Sequence, residues 1–343
     1  MTAEIPLTTT TFPTLPRTMR AAVTRRYGPP EEVVTIERVP VPAVGPNQVL
    51  IRVGAASINA LDWHYVTGTP MFARISLGLR RPDRLTPGAD VAGTVAAIGD
   101  GVVGLAPGDR VCAEVDGGGF AEYVLARRGH VIPAPERLDD AEAATLGVAA
   151  LTALQGLRDW GGLRAGQRVL INGASGGVGS FAVQIATALG AGHVTAVCST
   201  QNLETARSSG ADRVIDYTVE DATDIGERFD VLFDNAGTWP LSACRRLLGP
   251  GGRYVSVTAP KSRWIKPLPR MIAAAAYFAA TRTSAAIGKV ATQSAADLTL
   301  LAAMVDDGRL TPVMDRRWSL DDAAEALRVQ GEFHARGKSV VIP

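Results

Sequence analysis

Two hydrophobic rhythms divide this chain. From Arg20 to about Arg128, short apolar runs at Arg20–Thr24, Val49–Val53, Val91–Ile98, Arg110–Ala113 and Ala121–Leu125 are separated by turns such as Val44-Gly45-Pro46 and Ala106-Pro107-Gly108-Asp109. That spacing predicts a small β-barrel-like domain. From Gln167 onward, apolar runs at 168–172, 193–198, 213–216, 230–234 and 253–257 alternate with helical text at 177–189, 202–209 and 240–248. Strict alternation of this kind predicts an α/β fold with a doubly wound parallel sheet. Asp139-Asp140 is placed to cap a helix through Trp160, and the tail reads as helices at Ala295–Asp307 and Leu320–Gln330, with caps at Ser319 and Asp321, before a last strand at Lys338–Ile342.

The most informative segment is Gln167–Gly192, where the run Val169-Leu170-Ile171 enters Gly173-Ala174-Ser175-Gly176-Gly177-Val178-Gly179 and opens directly into an apolar-periodic helix. One glycine lets backbone approach a pyrophosphate and the next lets helix and strand pack closely. The unsatisfied N–H groups of the helix start then complete an anion site. The following strand ends in Ser199-Thr200-Gln201, where a chain selecting NAD carries Asp or Glu for the ribose 2′-hydroxyl. Small hydroxyl residues leave room for a 2′-phosphate and donate to it, which favours NADP(H). Ser and Thr also suit an ordinary strand-end turn.

Composition narrows the class. A chain of 343 residues has room for about two domains, and a formal net charge of +1 argues against a nucleic-acid surface. The basic cluster Arg263, Lys266 and Arg270 reads as a solvated face, and the apolar stretch Met271–Ala280 is too short to span a bilayer, so neither nucleic acid nor membrane is expected as a partner. The first eighteen residues lack a basic start followed by an apolar core and read as a mobile tail. Cys112, Cys198 and Cys244 are odd in number and widely spaced, which disfavours disulfides and a cysteine zinc site and points to a reducing cytoplasm.

From Met19 onward the chain resembles the zinc-independent quinone oxidoreductase branch of the medium-chain dehydrogenase/reductase superfamily. The phrases that carry the resemblance include Ser57-Ile58-Asn59-Ala60-Leu61-Asp62, Pro87-Gly88-Ala89-Asp90-Val91-Ala92-Gly93, Gly108-Asp109-Arg110-Val111, Gly118-Gly119-Phe120-Ala121-Glu122-Tyr123, Leu151-Thr152-Ala153-Leu154, the glycine turn, Gly210-Ala211-Asp212-Arg213-Val214-Ile215-Asp216-Tyr217 and Gly337-Lys338. It implies a Rossmann sheet over 141–290 and a GroES-like β-rich catalytic domain over 19–140, completed by 291–343, with 1–18 as the tail. Where the zinc-using members carry a cysteine and a His-Glu pair, this chain has Asn59 and Ala89-Asp90, so no metal is expected. Without a Lewis acid, hydride transfer to a conjugated alkene is easier to support than alcohol oxidation.

The resemblance thus implies NADPH-dependent reduction of a quinone or an α,β-unsaturated carbonyl by a homodimer paired near Ala286–Thr292. An enoyl-thioester reductase and a non-catalytic NADPH-binding protein of the same fold are the alternatives. Matching positions assign Ala174, Ser175, Gly176, Gly177, Val178 and Gly179 to the pyrophosphate, and Ser199, Thr200 and Tyr217 to the 2′-phosphate. Thr152 and Asn235 match positions near the nicotinamide ribose or ring, and Lys338 is counted among the cofactor-binding residues. Asn59 is the expected amide donor to the substrate carbonyl, though a turn role competes with it. Asp62 and His64 follow it, and His64 is the histidine considered as proton donor, with water as its rival. His130, His193 and His334 read as structural.

Overall fold

The computed structural model describes residues 15–257, 267–332 and 336–343, without the side chains of 267–270. Most of the expected tail, Arg263, Lys266, the Arg270 side chain and His334 lie outside the described residues. The β-rich part contains β1 (Thr18–Thr24), β2 (Val34–Pro40), β3 (Gln48–Ser57), β4 (Asp90–Ile98), β5 (Arg110–Glu114), β6 (Tyr123–Arg127) and β7 (Val131–Pro133). The parallel part contains β8 (Arg168–Asn172), β9 (His193–Cys198), β10 (Arg213–Asp216), β11 (Phe229–Asp234), β12 (Leu248–Ser256) and β13 (Ser284–Ile287). The chain then returns to the first part with β14 (Met314–Ser319) and β15 (Lys338–Ile342).

The parallel sheet runs β10-β9-β8-β11-β12-β13, so strand order reverses between β8 and β11. Crossover helices cover it, and residues such as Leu170, Phe181 and Phe233 are fully buried. Each such side chain contributes about 1.5–3 kcal/mol by leaving water. The second sheet runs β14-β15-β3-β4-β5-β7, with β6 also on β3. Val340 of β15 lies opposite Ser57 of β3. That register carries Lys338 to the end of β3, beside Ile58 and Asn59.

Local departures from the sequence reading have local causes. The strand expected at Ala121–Leu125 runs instead from Tyr123 to Arg127, because Ala121 makes only an isolated bridge to Ala21. The strands β2 and β14 carry charged residues within their runs, which hid their alternation. The single helix expected to Trp160 is broken at Gly147 (ψ −117°), where a Cβ would come 2.0 Å from Asp90 Oδ1. Asp139 does cap the start, accepting from the Glu142 N–H at 2.8 Å. Ser319 and Asp321 do not cap by side chain: the Ser319 hydroxyl donates to Asp322 at 2.6 Å, and Asp321 pairs with Arg20.

Candidate active site

Ligands of open α/β sheets bind at the carboxyl ends of the strands where the order reverses. Here β8 leads into Gly173 at φ +81°, a backbone region that glycine enters without strain. The N–H groups of Gly173 and Ala174 donate to the Val197 carbonyl at 3.2 and 3.0 Å, tying the turn to β9. The turn continues through half-buried Ser175, and Gly176 is the N-cap of the helix Gly177–Ala188, which also carries Val178. A Cβ on Gly179 would lie 2.1 Å from the Gly173 carbonyl oxygen, so only glycine lets this helix close on the strand. A Cβ on Gly176 would meet nothing nearer than Asn235 Nδ2 at 3.6 Å. The space above the turn is open, and a pyrophosphate fits it, facing the positive end of a twelve-residue helix.

Asn235 borders this cradle from β11, with its N–H donating to Asn172 O at 2.9 Å and its Nδ2 lying 3.4 Å from Gly173 O. The buried Asp234 carboxylate fixes both strand ends: it accepts from Asn172 Nδ2 at 2.9 Å, Tyr254 Oη at 2.8 Å and Gly237 N–H at 2.8 Å. Thr152, on the helix Val148–Gln155, donates its hydroxyl to the Val148 carbonyl at 2.6 Å and stays half-buried. At the end of β9, Ser199 accepts from Asn202 at 3.0 Å and the Thr200 hydroxyl meets that of Thr218 at 2.9 Å. Tyr217 stands exposed on the adjacent strand end. The structure adds an acid that the sequence reading missed there. Asp216, from β10, accepts the Thr218 N–H at 2.9 Å, and hydrogen bonds from Thr200 and Thr218 hold its pKa low.

The opposite wall is a buried polar cluster. Asn59 Nδ2 donates to Asp90 Oδ2 at 2.8 Å and faces Ser57 O at 3.4 Å, while Asn59 Oδ1 accepts from the Lys338 ammonium. Lys338 also donates to Ile58 O at 2.9 Å, and Asp90 Oδ1 accepts the Val148 N–H at 2.9 Å. The Lys338 stem lies so close to Gly177 that a Cβ there would be 2.8 Å from Cδ, and the Gly337 N–H donates to Ser175 O at 2.8 Å. One residue therefore touches both the phosphate turn and the Asn59 cluster. Burial lowers the Lys338 pKa and raises that of Asp90, and each opposes the other's shift.

The three residues expected at the catalytic step each have partners within the protein. The Asn59 amide is held between Asp90 and Lys338. Asp62 commits one oxygen to the Asn59 N–H at 2.8 Å and the other to the Gly88 N–H at 2.9 Å, so it fastens the helix Ala60–Thr67 to the loop beside it. His64 donates Nδ1–H to the Thr69 carbonyl at 2.6 Å, and burial lowers its pKa, leaving it uncharged at neutral pH.

A narrow cleft beside this cluster is lined by Asp62, Tyr65, Arg84, Ala89, Glu114 and Gln293 among others. Glu114 is absent from the sequence reading, although a lone acid ending the apolar run Val111-Cys112-Ala113 was the available signal. It is 7% exposed, its Oε2 has no hydrogen-bond partner, and it stands directly opposite Asp90 in the β4–β5 ladder. Burial first, then the Asp90 charge, pushes its pKa up to about 8, and burial pushes Asp62 up to about 7. Both values exceed the ordinary 4.5 and 3.8. Their neutral forms thus support folding fully at acid pH, and that support is lost as pH rises through these folded values. The urea midpoint is expected to fall between about pH 5 and 9, and Glu114→Gln to flatten the upper part of that decline. An unchanged slope above neutrality in the variant would contradict the assignment.

Among the described residues, no three His, Cys, Asp or Glu side chains group as metal ligands. Beside Asn59, in place of a metal-ligand set, stands the ammonium of Lys338. No helix among the described residues is long and apolar enough to cross a membrane.

Residues 45–136 match the alcohol dehydrogenase GroES-like domain, and residues 209–341 match the zinc-binding dehydrogenase family. The chain is 33% identical over 338 residues to the chloroplastic quinone-oxidoreductase QR1 of Triphysaria versicolor, covering 95% of this chain and 98% of that protein. It is 31% identical over 351 residues to the 2-methylene-furan-3-one reductase of Solanum lycopersicum, covering 98% and 82%. The solved quinone oxidoreductase from Coxiella burnetii superposes with a TM-score of 0.83 at 29% identity, covering 95% of this chain and 99% of that one.

Proposed function

The chain belongs to the quinone-oxidoreductase-like proteins of the medium-chain dehydrogenase/reductase superfamily, and from that membership we propose that it reduces a quinone or an α,β-unsaturated carbonyl with NADPH, without zinc. The carrying observation is the contact of Lys338 with both halves of the site: its stem lies on Gly177 while its ammonium holds Asn59. The cofactor supplies a hydride. The Gly173–Gly179 turn binds its pyrophosphate, with Ser175 and Val178 completing the cradle. Asn235 and Thr152 border the ring end, and Ser199, Thr200 and Tyr217 take the 2′-phosphate. The Asn59–Lys338–Asp90 cluster keeps the adjoining wall rigid and polar. Following NADPH and NADH oxidation with quinones, enones and enoyl thioesters tests this reading. Turnover confined to enoyl thioesters would move the substrate class, and saturable NADPH binding with no turnover would replace an enzyme by a cofactor-binding protein.

Asp216 supports a second reading, in which NADH is used and this carboxylate meets the ribose. A charge beside a 2′-phosphate is worth about 1 kcal/mol across a partly exposed site. If NADPH is the cofactor, Asp216→Asn is expected to raise the NADPH-to-NADH ratio of kcat/KM about fivefold. A selective loss of NADH activity would instead favour the second reading. The homodimer is proposed through β13, the edge of the parallel sheet, whose unpaired backbone groups suit a second copy. Light scattering at the monomer mass would remove it.

A further inference from the structure

We propose that Glu114 is the acid that protonates the substrate oxygen during reduction. This inference rests on the reductase reading above and adds the proton's source. As hydride forms a bond at the substrate β-carbon, the π pair of the alkene moves toward the carbonyl and negative charge gathers on its oxygen. The O–H bond of the Glu114 carboxyl breaks, its proton passes to that oxygen, and Glu114 is left as a carboxylate that regains a proton from water. An enone leaves as the enol, which tautomerises. A quinone receives its hydride at oxygen and its proton at the other oxygen, and leaves as the hydroquinone. Electrons come from the nicotinamide hydride alone, so both substrate classes balance with one acid.

The choice of Glu114 follows from what the other groups are already doing. Asn59 is engaged by Asp90 and Lys338, Asp62 by two backbone N–H groups, and the His64 Nδ1–H by Thr69 O. Glu114 lines the cleft together with Asp62, is more than nine-tenths buried, and keeps Oε2 without a partner. A buried oxygen left in that condition costs about 1–3 kcal/mol unless something else binds it. A substrate oxygen is such a group.

The surroundings keep this carboxyl protonated. Asp90 faces it across the β4–β5 ladder, with Lys338 beyond, and Asp116 adds a second negative charge from the loop after β5. Asp62 and Tyr65 face the cleft from the helix Ala60–Thr67, and Arg84 enters from the loop before β4. Arg84 and Arg127 both reach Asp116, at 3.5 and 3.1 Å, and Arg84 also lies over the Tyr65 ring. Gln293, from the loop before the helix Ala295–Asp306, hydrogen-bonds the carboxyl and works against its protonation, lowering its pKa less than burial and Asp90 raise it. Two acids opposed in one ladder favour a proton on one of them.

The test compares wild type with Glu114→Gln, which keeps the volume, and Glu114→Asp, which keeps the acid. Infrared titration of the protein without substrate reads the carboxyl as a difference: beside the band that Asp62 contributes, wild type should show a protonated-carboxyl component at pH 6 that fades by about pH 9 and that E114Q lacks. With the best substrate, E114Q should lower kcat about 100-fold, leave the NADPH Kd within about twofold, and lose the alkaline fall of kcat that wild type shows. Glu114→Asp should restore that fall and part of the rate. A kcat for E114Q within about threefold of wild type, an unchanged alkaline fall, or a carboxyl band identical in the two proteins overturns the acid while leaving the reductase intact. Failure of wild type to oxidise NADPH with any substrate overturns the reductase reading, and the acid with it.

Discussion

Gly176→Val should abolish measurable NADPH binding, a loss of at least about 100-fold in Kd, while leaving the melting temperature nearly unchanged. The two halves of this expectation have separate physical sources. Gly176 has φ −76° and ψ 175°, extended backbone that valine adopts readily, and a Cβ there meets nothing closer than 3.6 Å. The fold therefore accepts the side chain. The space it enters is the one through which backbone N–H groups would reach a pyrophosphate, and two charge-assisted hydrogen bonds lost together amount to about 3 kcal/mol or more. Gly179→Val is the contrasting control. Its Cβ would lie 2.1 Å from the Gly173 carbonyl oxygen, so that variant is expected to lose the fold along with the cofactor. Calorimetric titration beside a melting curve separates the two. Retained affinity in a folded Gly176→Val protein would place the phosphates elsewhere.

The contrast between these glycines explains what was legible in the sequence. A glycine turn between an apolar strand and an apolar-periodic helix is a local signal, and the parallel sheet around it follows from alternation that each segment carries by itself. The acid–amide–ammonium cluster has no such signature. Its members, Asn59, Asp90 and Lys338, come from three strand ends, and Lys338 reaches Asn59 only because β15 pairs with β3 in the register Val340 to Ser57. Asn59 was located by its position in a family phrase, yet its partners, and thus its role, depend on tertiary pairing. Asp216 and Glu114 were missed for a related reason. Each acts across a ladder, on the end of β9 and opposite Asp90 respectively, and a single strand read alone shows only an acid at its end. The Gly147 break joins the two kinds of information: a helix that the periodicity carries through is interrupted because Asp90 needs the Val148 N–H and the room a missing Cβ leaves.

Lys338→Met should destabilise the protein by about 3 kcal/mol at neutral pH, because it leaves the buried Asp90 carboxylate, linked to Lys338 through Asn59, without its nearby positive charge. Methionine keeps most of the stem that packs on Gly177, so the loss reports the ammonium rather than the packing. Without it, Ile58 O and Asn59 Oδ1 lose their donor, and the Asp90 carboxylate loses the positive charge that offsets its burial. Adding Asp90→Asn should recover a large part of the loss. An amide nitrogen at position 90 can donate to Asn59 Oδ1 once the Asn59 amide turns over, and that turn becomes favourable only when no ammonium requires the oxygen in its present place. Asp90→Asn alone, with Lys338 intact, sets two amide nitrogens against each other and should be destabilising by itself. The two changes are therefore expected to be non-additive, with a coupling of about 1–3 kcal/mol measured by urea unfolding of the four proteins. Strict additivity would mean that Lys338 and Asp90 are independent, and that the site wall is held by packing rather than by charge.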